Sequence, residues 1–356
     1  MEKKVIDKNF CCSSFLALRY VEKNDVSFTD LLKYNHPLMP TDENRIYVKT
    51  SNEISVAIEQ QINEIQKKYN KIGIMLSGGM DSSILASYLP GIDAYTFRFM
   101  GGRYQTEELK RAEAIAQANE MVIHYVDISW STVDNYLEPV MLKKGGPVHS
   151  IEPQIYQAAI QAKNDNIELM IIGDASDYIF GGMDKLLSKD WAYDEFISRY
   201  IYVNPFEVLK NPVSVEYIFE KYRNHEDIDF VKIIEELATQ ESYGSYNNAF
   251  KTAEMDYFDP YERLKLSVPL DLQRIRNGES KYLIRELFQK RYPNKHIPEK
   301  LPMPRPVDYY FKEWQGPKRI EFRDDIDINK YDGNQRWLLW CLEEFLNMID
   351  KKEAIQ

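Results

Sequence analysis

Four short runs of apolar, β-branched or aromatic residues punctuate the first half of the chain. They are KIGIML (71–76), DAYTFRF (93–99), MVIHYVDI (121–128) and ELMIIG (168–173). Their length and residue types predict strands. Helical periodicity fills the intervals. Ile54, Ile58, Ile62 and Ile65 recur every three or four positions and predict one apolar helix face over 53–69. TEELKRAEAIAQAN (106–119) carries acidic residues first and small apolar residues later, which suits a helix start. IEPQIYQAAIQAKND (151–165) has a proline near its first turn and apolar positions at helical spacing. Strands alternating with helices predict a parallel sheet covered on both faces.

From about Lys185 onward the pattern changes. Helical spacing and aromatics continue, with Phe196, Tyr200 and Tyr202 marking one stretch, but strand candidates are few. Segments 228–240 and 280–290 and the run WLLWCLEEFLNMI predict helices. EKLPMPRPV (299–307) predicts an irregular loop, because each proline removes a donor and restricts its neighbour. The expectation is an α/β fold in two parts, a nucleotide-binding α/β part over 51–184 and a helical part over 185–350. Residues 1–50 form an N-terminal segment that the pattern does not classify.

Composition narrows the class. Hydrophobic residues make up 44% and charged residues 28% of the 356 positions, which excludes a disordered chain. A net charge of −11 argues against nucleic acid or an anionic membrane as partner. Cys11, Cys12 and Cys341 offer no spaced pair for zinc, an iron–sulfur cluster or a disulfide framework. No apolar run reaches the roughly 18 residues of a membrane span, and the N-terminus lacks a long apolar core before a small-residue cleavage site. A cytoplasmic protein is expected.

The sharpest chemical signal is IMLSGGMDSSILASYL (74–89). A predicted strand ends at Leu76, a Ser-Gly-Gly turn follows, and a helix begins near Asp81. Gly78 and Gly79 let the backbone approach an anion with no Cβ in the way. Ser77, Ser82 and Ser83 add hydroxyl donors, and the helix start adds free N–H groups and a positive dipole end. Together they predict a phosphate or pyrophosphate cradle. It is not a Walker loop, since no Gly-Lys-Ser/Thr ends it. Asp81 beside a phosphate would be repulsive without a divalent ion between them, so it reads as a magnesium ligand. A strand-to-helix turn with a serine cap would account for the glycines but not for the whole string.

This string resembles the pyrophosphate loop of the ATP pyrophosphatases, which cleave ATP between the α and β phosphates and attach AMP to a substrate oxygen. The resemblance implies a Rossmann-like sheet of the adenine-nucleotide α-hydrolase type, with ATP and magnesium as cofactors. GMP synthetases, NAD synthetases, tRNA-thiolating enzymes and asparagine synthetases share the loop, so it gives the chemistry class and not the substrate.

A second string, IIGDASDYIFGGMD (171–184), is similar to the second motif of the asparagine synthetases and their β-lactam synthetase relatives. Gly173, Asp177, Phe180, Gly181 and Gly182 match, while Asp174 and Tyr178 stand where that family has glutamates. The resemblance implies Asp177 as the second magnesium ligand, with Gly173 and Asp174 beside the nucleotide. RNGESKYLIREL (276–287) resembles the family's Gly-x-x-Lys-x-x-Leu-Arg helix and implies that Lys281 meets the phosphates and the transition state of amide formation. SVPLD (267–271) and the proline-rich loop, with Lys300, also resemble family segments. Leu76 and Phe97 match positions that flank adenine. The family's catalytic acidic or tyrosine residue precedes the second motif, and here Glu138-Pro139 and Glu152-Pro153 compete, with Glu138 the preferred candidate. The glycine-rich KKGGPVHS after it is expected to be mobile and to border the acceptor pocket.

Glutamine-dependent members open with a glutaminase whose nucleophile is the first cysteine after Met1. Residue 2 is Glu2 and the loop begins at Ser77, so no such domain is expected. The combined reading is a ligase that adenylates a small-molecule carboxylate, releases pyrophosphate and transfers ammonia or an amine, with a separate glutaminase subunit as one nitrogen source. A homo-oligomer is compatible with it. A nucleotide- or tRNA-modifying pyrophosphatase and a degenerate ATP-binding partner protein are the alternatives.

Overall fold

The computed structural model describes residues 5–100, 106–299 and 306–354. The four apolar runs form strands: β1 (Ile72–Met75), β2 (Asp93–Phe99), β3 (Val122–Ile128) and β4 (Leu169–Ile171). A fifth strand, β5 (Asp256–Phe258), joins the edge beyond β4. The order is β5-β4-β1-β2-β3 and every pair is parallel. Three residues with a half-exposed pattern left β5 invisible in the sequence; its pairing with β4 makes it a strand.

The sheet is covered on both faces, as its apolar strands require. Leu169 and Ile171 pack in one core with the helices Ser51–Lys68 and Thr106–Ala118. Met170 and Ile172 pack in a second core with the helices Glu152–Asn164 and Thr239–Ala253. Alternation along one buried strand thus divides the two faces. Ile54, Ile58, Ile62 and Ile65 are the buried stripe of the first helix, whose start is capped by Thr50 accepting the Glu53 amide.

One segment had no assigned element and another differs from its expectation. Residues Trp130–Lys144 form a helix that contains Pro139, entered through a capping box of Ser129 and Thr132. The KKGGPVHS stretch is buried rather than mobile: a Cβ at Gly145 would lie 2.1 Å from the Lys33 carbonyl oxygen. Trp337 and Cys341, on the helix Gly333–Glu353, both donate to the Val148 carbonyl.

The C-terminal half is mainly helical. The segment predicted over 228–240 runs as Phe230–Ile233, a π turn at Ile234–Ala238, and the helix Thr239–Ala253. The N-terminal segment is part of the body. Val5–Ile6 pairs with Val26–Ser27, and Ile46–Val48 pairs with Leu264–Leu266. Helix Lys8–Leu18 is buried around most of its circumference and packs on Gly333–Glu353. All three cysteines are free and buried. Among the described residues no helix is long and apolar enough to cross a membrane.

Candidate functional site

One cleft opens at the carboxyl ends of β1, β2 and β4, where open parallel sheets place their ligands. Its lining joins the three strings singled out in the sequence. Leu76, Ser77, Gly78, Gly79, Asp81 and Ser82 come from the first, Gly173, Asp174 and Asp177 from the second, and Lys281 from the third. Phe97 lies on the β2 side with Tyr95 and Thr96.

The loop after β1 is tied internally. Ser82 Oγ accepts the Ser77 amide at 3.2 Å, and Ser77 Oγ accepts the Gly79 amide at 3.2 Å. Thr96 Oγ1 donates to the Leu76 carbonyl at 2.8 Å, pinning the strand end to β2. Gly78 has φ +75, and a Cβ there would meet the Ala112 nitrogen at 2.6 Å, so only glycine fits. A Cβ on Gly79 would meet nothing but Ser77 Oγ, at 3.3 Å. Packing does not require that second glycine, and a Cβ would occupy the space a close-lying anion needs.

Asp81, Asp177 and Lys281 converge. Lys281 Nζ lies 2.6 Å from Asp81 Oδ2 and 3.0 Å from Asp177 Oδ1. Ser176 Oγ donates to the other Asp81 oxygen at 2.6 Å, and the Tyr261 hydroxyl donates to the Asp81 carbonyl at 3.1 Å. Gly182 explains the glycine pair of the second string: a Cβ there would sit 2.0 Å from Asp177 Oδ1. Lys281 is only 3% exposed. Burial works against its ammonium, yet the charges of Asp81 and Asp177 outweigh it and hold its pKa above the usual lysine value. The lysine is not inside the helix the sequence predicted. It precedes Tyr282–Arg291 in a left-handed conformation with φ 55. The SVPLD segment supports it, since the Asp271 amide donates to the Tyr282 hydroxyl at 3.2 Å.

Asp174 lines the same cleft. Burial pushes its carboxyl up to about 8, repulsion from Asp259 and Asp177 adds to this, and a hydrogen bond from Ser242 opposes it. Asp259 beneath it is raised by burial to about 7, against the amides that it accepts.

Three candidate site residues are elsewhere. Glu138 sits on the outer face of Trp130–Lys144, 63% exposed and 3.5 Å from Lys352, and does not line the cleft. Its competitor Glu152 is wholly buried, held by Lys144 at 2.6 Å and by Asn248 at 2.7 Å. Both Glu-Pro pairs are helix features, Pro139 within one helix and Pro153 at the start of another. Ser83 is fully buried under the loop and is absent from the cleft lining. Lys300 lies outside the described residues. The sequence reading missed Arg111, Tyr246 and Asp259; Arg111 and Tyr246 line the cleft, as does Arg285, which follows Lys281 in the third string. Arg285 bonds the Ser280 carbonyl at 2.8 Å and Arg111 the Glu299 carbonyl at 3.1 Å. No motif spacing marked these residues.

Among the described residues no three metal-ligating side chains cluster, so the chain offers a divalent ion two carboxylates, Asp81 and Asp177. Both already approach one cation, the Lys281 ammonium. That donor set suits magnesium completed by phosphate oxygens and water rather than caged by protein.

A sequence profile of asparagine synthase matches residues 54–251, more than half of the chain and most of this cleft. The chain belongs to the asparagine synthase family. A protein from Methanocaldococcus jannaschii, named as a glutamine-hydrolysing asparagine synthetase, is 26% identical over 145 residues. The match covers 39% of this chain, and the chain spans about a quarter (26%) of that relative's length. Solved structures are more distant. NMN synthetase from Francisella tularensis is 12% identical, with 72% of this chain and 99% of that chain covered, at a TM-score of 0.28. The NH3-dependent NAD synthetase from Campylobacter jejuni is 16% identical, with 72% and 100% covered, at 0.26. The U34-tRNA thiolase NcsA from Methanococcus maripaludis is 14% identical, with 70% and 82% covered, at 0.28. The family assignment rests on the sequence match, which spans most of the residues lining the cleft.

Proposed function

We propose that this family member is an AMP-forming carbon–nitrogen ligase. It takes ATP with magnesium, adenylates a small-molecule carboxylate, releases pyrophosphate and passes ammonia or an amine to the activated acyl group. The observation that carries this reading is the convergence of Asp81, Asp177 and Lys281 beside the glycine loop in one cleft.

Adenine lies between Leu76 and Phe97, and the phosphates lie over Ser77, Gly79 and Ser82. Asp81 and Asp177 would hold magnesium, which when bound would neutralise charge on the phosphate oxygens. A substrate carboxylate oxygen attacks the α-phosphorus, the bond to the β-phosphate oxygen breaks, and pyrophosphate leaves. Lys281 and Arg285 meet the negative charge that builds up on the leaving group. Nitrogen then attacks the acyl carbon and AMP departs.

The attacking amine must lose a proton. Asp174, a carboxyl in the cleft raised by burial to about 8, is the base in its ionised form, whose share grows as pH rises toward 8. The nitrogen is free ammonia, ammonia from a separate glutaminase, or an amine on a second substrate. ATP–pyrophosphate exchange across a panel of carboxylic acids tests the reading. Exchange that requires one acid and magnesium is the expected result. Absence of nucleotide binding to the purified chain would overturn it.

A further inference from the structure

Asp81 and Asp177 form a site for one cation, and the chain fills it. Lys281 Nζ is within 2.6 and 3.0 Å of the two carboxylates. The carboxylates themselves remain partly open to the cleft, with side-chain exposures of 21% and 30%. A metal ion bound to both would stand where the ammonium stands. Two cations cannot share that point, by size and by repulsion.

Charge favours an exchange over coexistence. Two carboxylates and one ammonium leave one negative charge, whereas a divalent ion in the lysine's place leaves none. With two carboxylates to offer among the described residues, free magnesium gains little over its water shell. Polyphosphate changes both sides of the balance. It supplies the missing oxygen ligands, and it gives the displaced ammonium a new anion. Ser280, Lys281 and Arg285 line the same cleft as the glycine loop, so the lysine reaches that anion by swinging its flexible stem. Its backbone, left-handed at φ 55 and ψ 38, aims the side chain at the pair while the helix behind it stays in place.

We propose that Lys281 is the resident cation of the Asp81–Asp177 pair, that it excludes free divalent metal, and that metal enters only together with polyphosphate, which takes the lysine over. This rests on reading the cleft as a magnesium–ATP site. It makes the binding of metal and nucleotide reciprocal, each strengthening the other by the same factor.

Manganese is the probe, followed by the electron paramagnetic resonance signal of the free ion. It is titrated into the full chain alone, with α,β-methylene-ATP, and into Lys281→Met without nucleotide. Wild type alone is expected to show no saturable site, and nucleotide to tighten manganese binding by about 5- to 150-fold. Lys281→Met is expected to bind manganese without nucleotide at least about tenfold tighter than wild type, and Asp81→Asn on that background to remove the gain. Saturable binding to wild type irrespective of nucleotide overturns the proposal, and so does a folded Lys281→Met with no gain. If that variant fails to fold by circular dichroism, the two wild-type titrations decide. Manganese binding gained by Lys281→Met while wild type never binds nucleotide would sink the ATP reading and leave the cation exchange standing.

Discussion

Asp259 holds Asp174 in place from below. Its Oδ2 accepts the amides of Asp174 and Ala175 at 2.9 and 2.8 Å, and its Oδ1 accepts the Tyr261 amide at 2.9 Å. Asp259 follows β5, so the edge strand delivers a carboxylate under the second motif. Tyr261 in turn bonds the Asp81 carbonyl, which links that carboxylate to both halves of the cation site.

Asp259→Ala therefore leaves three amides without an acceptor. Orphaned buried donors cost about 1–3 kcal/mol each, and water entering the vacated space recovers part of that. The expected loss of stability is about 2–4 kcal/mol, read as a lower urea midpoint. Nucleotide affinity should fall as well, because Asp174 and Asp81 lose their support. An unchanged midpoint would contradict the role given to Asp259.

The raised carboxyls fix the sign of a pH effect. Asp174 titrates near 8, and Asp259 and Glu262 near 7, all raised first by burial. In the unfolded chain such groups titrate near 4. Between these limits the folded state holds more protons, so stability falls as pH rises. Their contribution is complete below about pH 4 and is lost on passing through 7 to 8. Asp174→Asn removes one of these groups. The difference in unfolding free energy between the variant and wild type should move in favour of the variant between pH 5 and pH 8.5, read by urea denaturation at each pH. A difference independent of pH would mean that Asp174 is not raised.

The fold was legible where periodicity is strong. Four strands and the Ile54–Ile65 stripe fall where the residues predict, because each buries apolar side chains at the spacing of its element. β5 was not legible, since its three residues become a strand only through pairing with β4. The cleft was legible in its motif residues, where glycines and carboxylates leave an unusual string. Arg111 and Tyr246 sit on ordinary helix faces, and only tertiary packing turns them into the cleft. Glu138 shows the converse error. Glu-Pro read as a motif, but it is one turn of a helix whose carboxylate meets solvent and Lys352.

Glu138 and Asp174 give a paired kinetic test. Glu138→Gln breaks an exposed ion pair, worth little in stability. Pyrophosphate exchange and amide formation should both remain within about twofold of wild type, since such a pair contributes at most about 1 kcal/mol. Asp174→Asn should slow amide formation by about 10²- to 10⁴-fold, the usual worth of a general base. Exchange, which needs no proton from the amine, should be much less affected. Equal loss of both activities would assign Asp174 to positioning the nucleotide instead.

The two loop glycines separate folding from binding. Gly78 is left-handed at φ +75, and a Cβ would press to 2.6 Å on the Ala112 nitrogen and 2.8 Å on the Arg111 Cβ. Neither contact is a flexible side-chain end, so the helix Thr106–Ala118 must shift or the loop must unwind. Gly78→Ala should destabilise the protein by at least about 1 kcal/mol and lower its melting temperature. Gly79 has φ −74, which alanine adopts freely. Its Cβ would meet only Ser77 Oγ at 3.3 Å, a contact that a small rotation of the serine relieves. In such a position Gly→Ala stabilises by about 0.4–1 kcal/mol by restricting the unfolded chain. Gly79→Ala should then melt at or above the wild-type temperature and yet bind ATP at least about tenfold more weakly, about 1.4 kcal/mol, because the methyl group fills space over the phosphate loop. Differential scanning fluorimetry and calorimetric titration with magnesium–ATP measure the two effects separately. If Gly79→Ala is stable and binds ATP as wild type does, the phosphates do not lie over this loop.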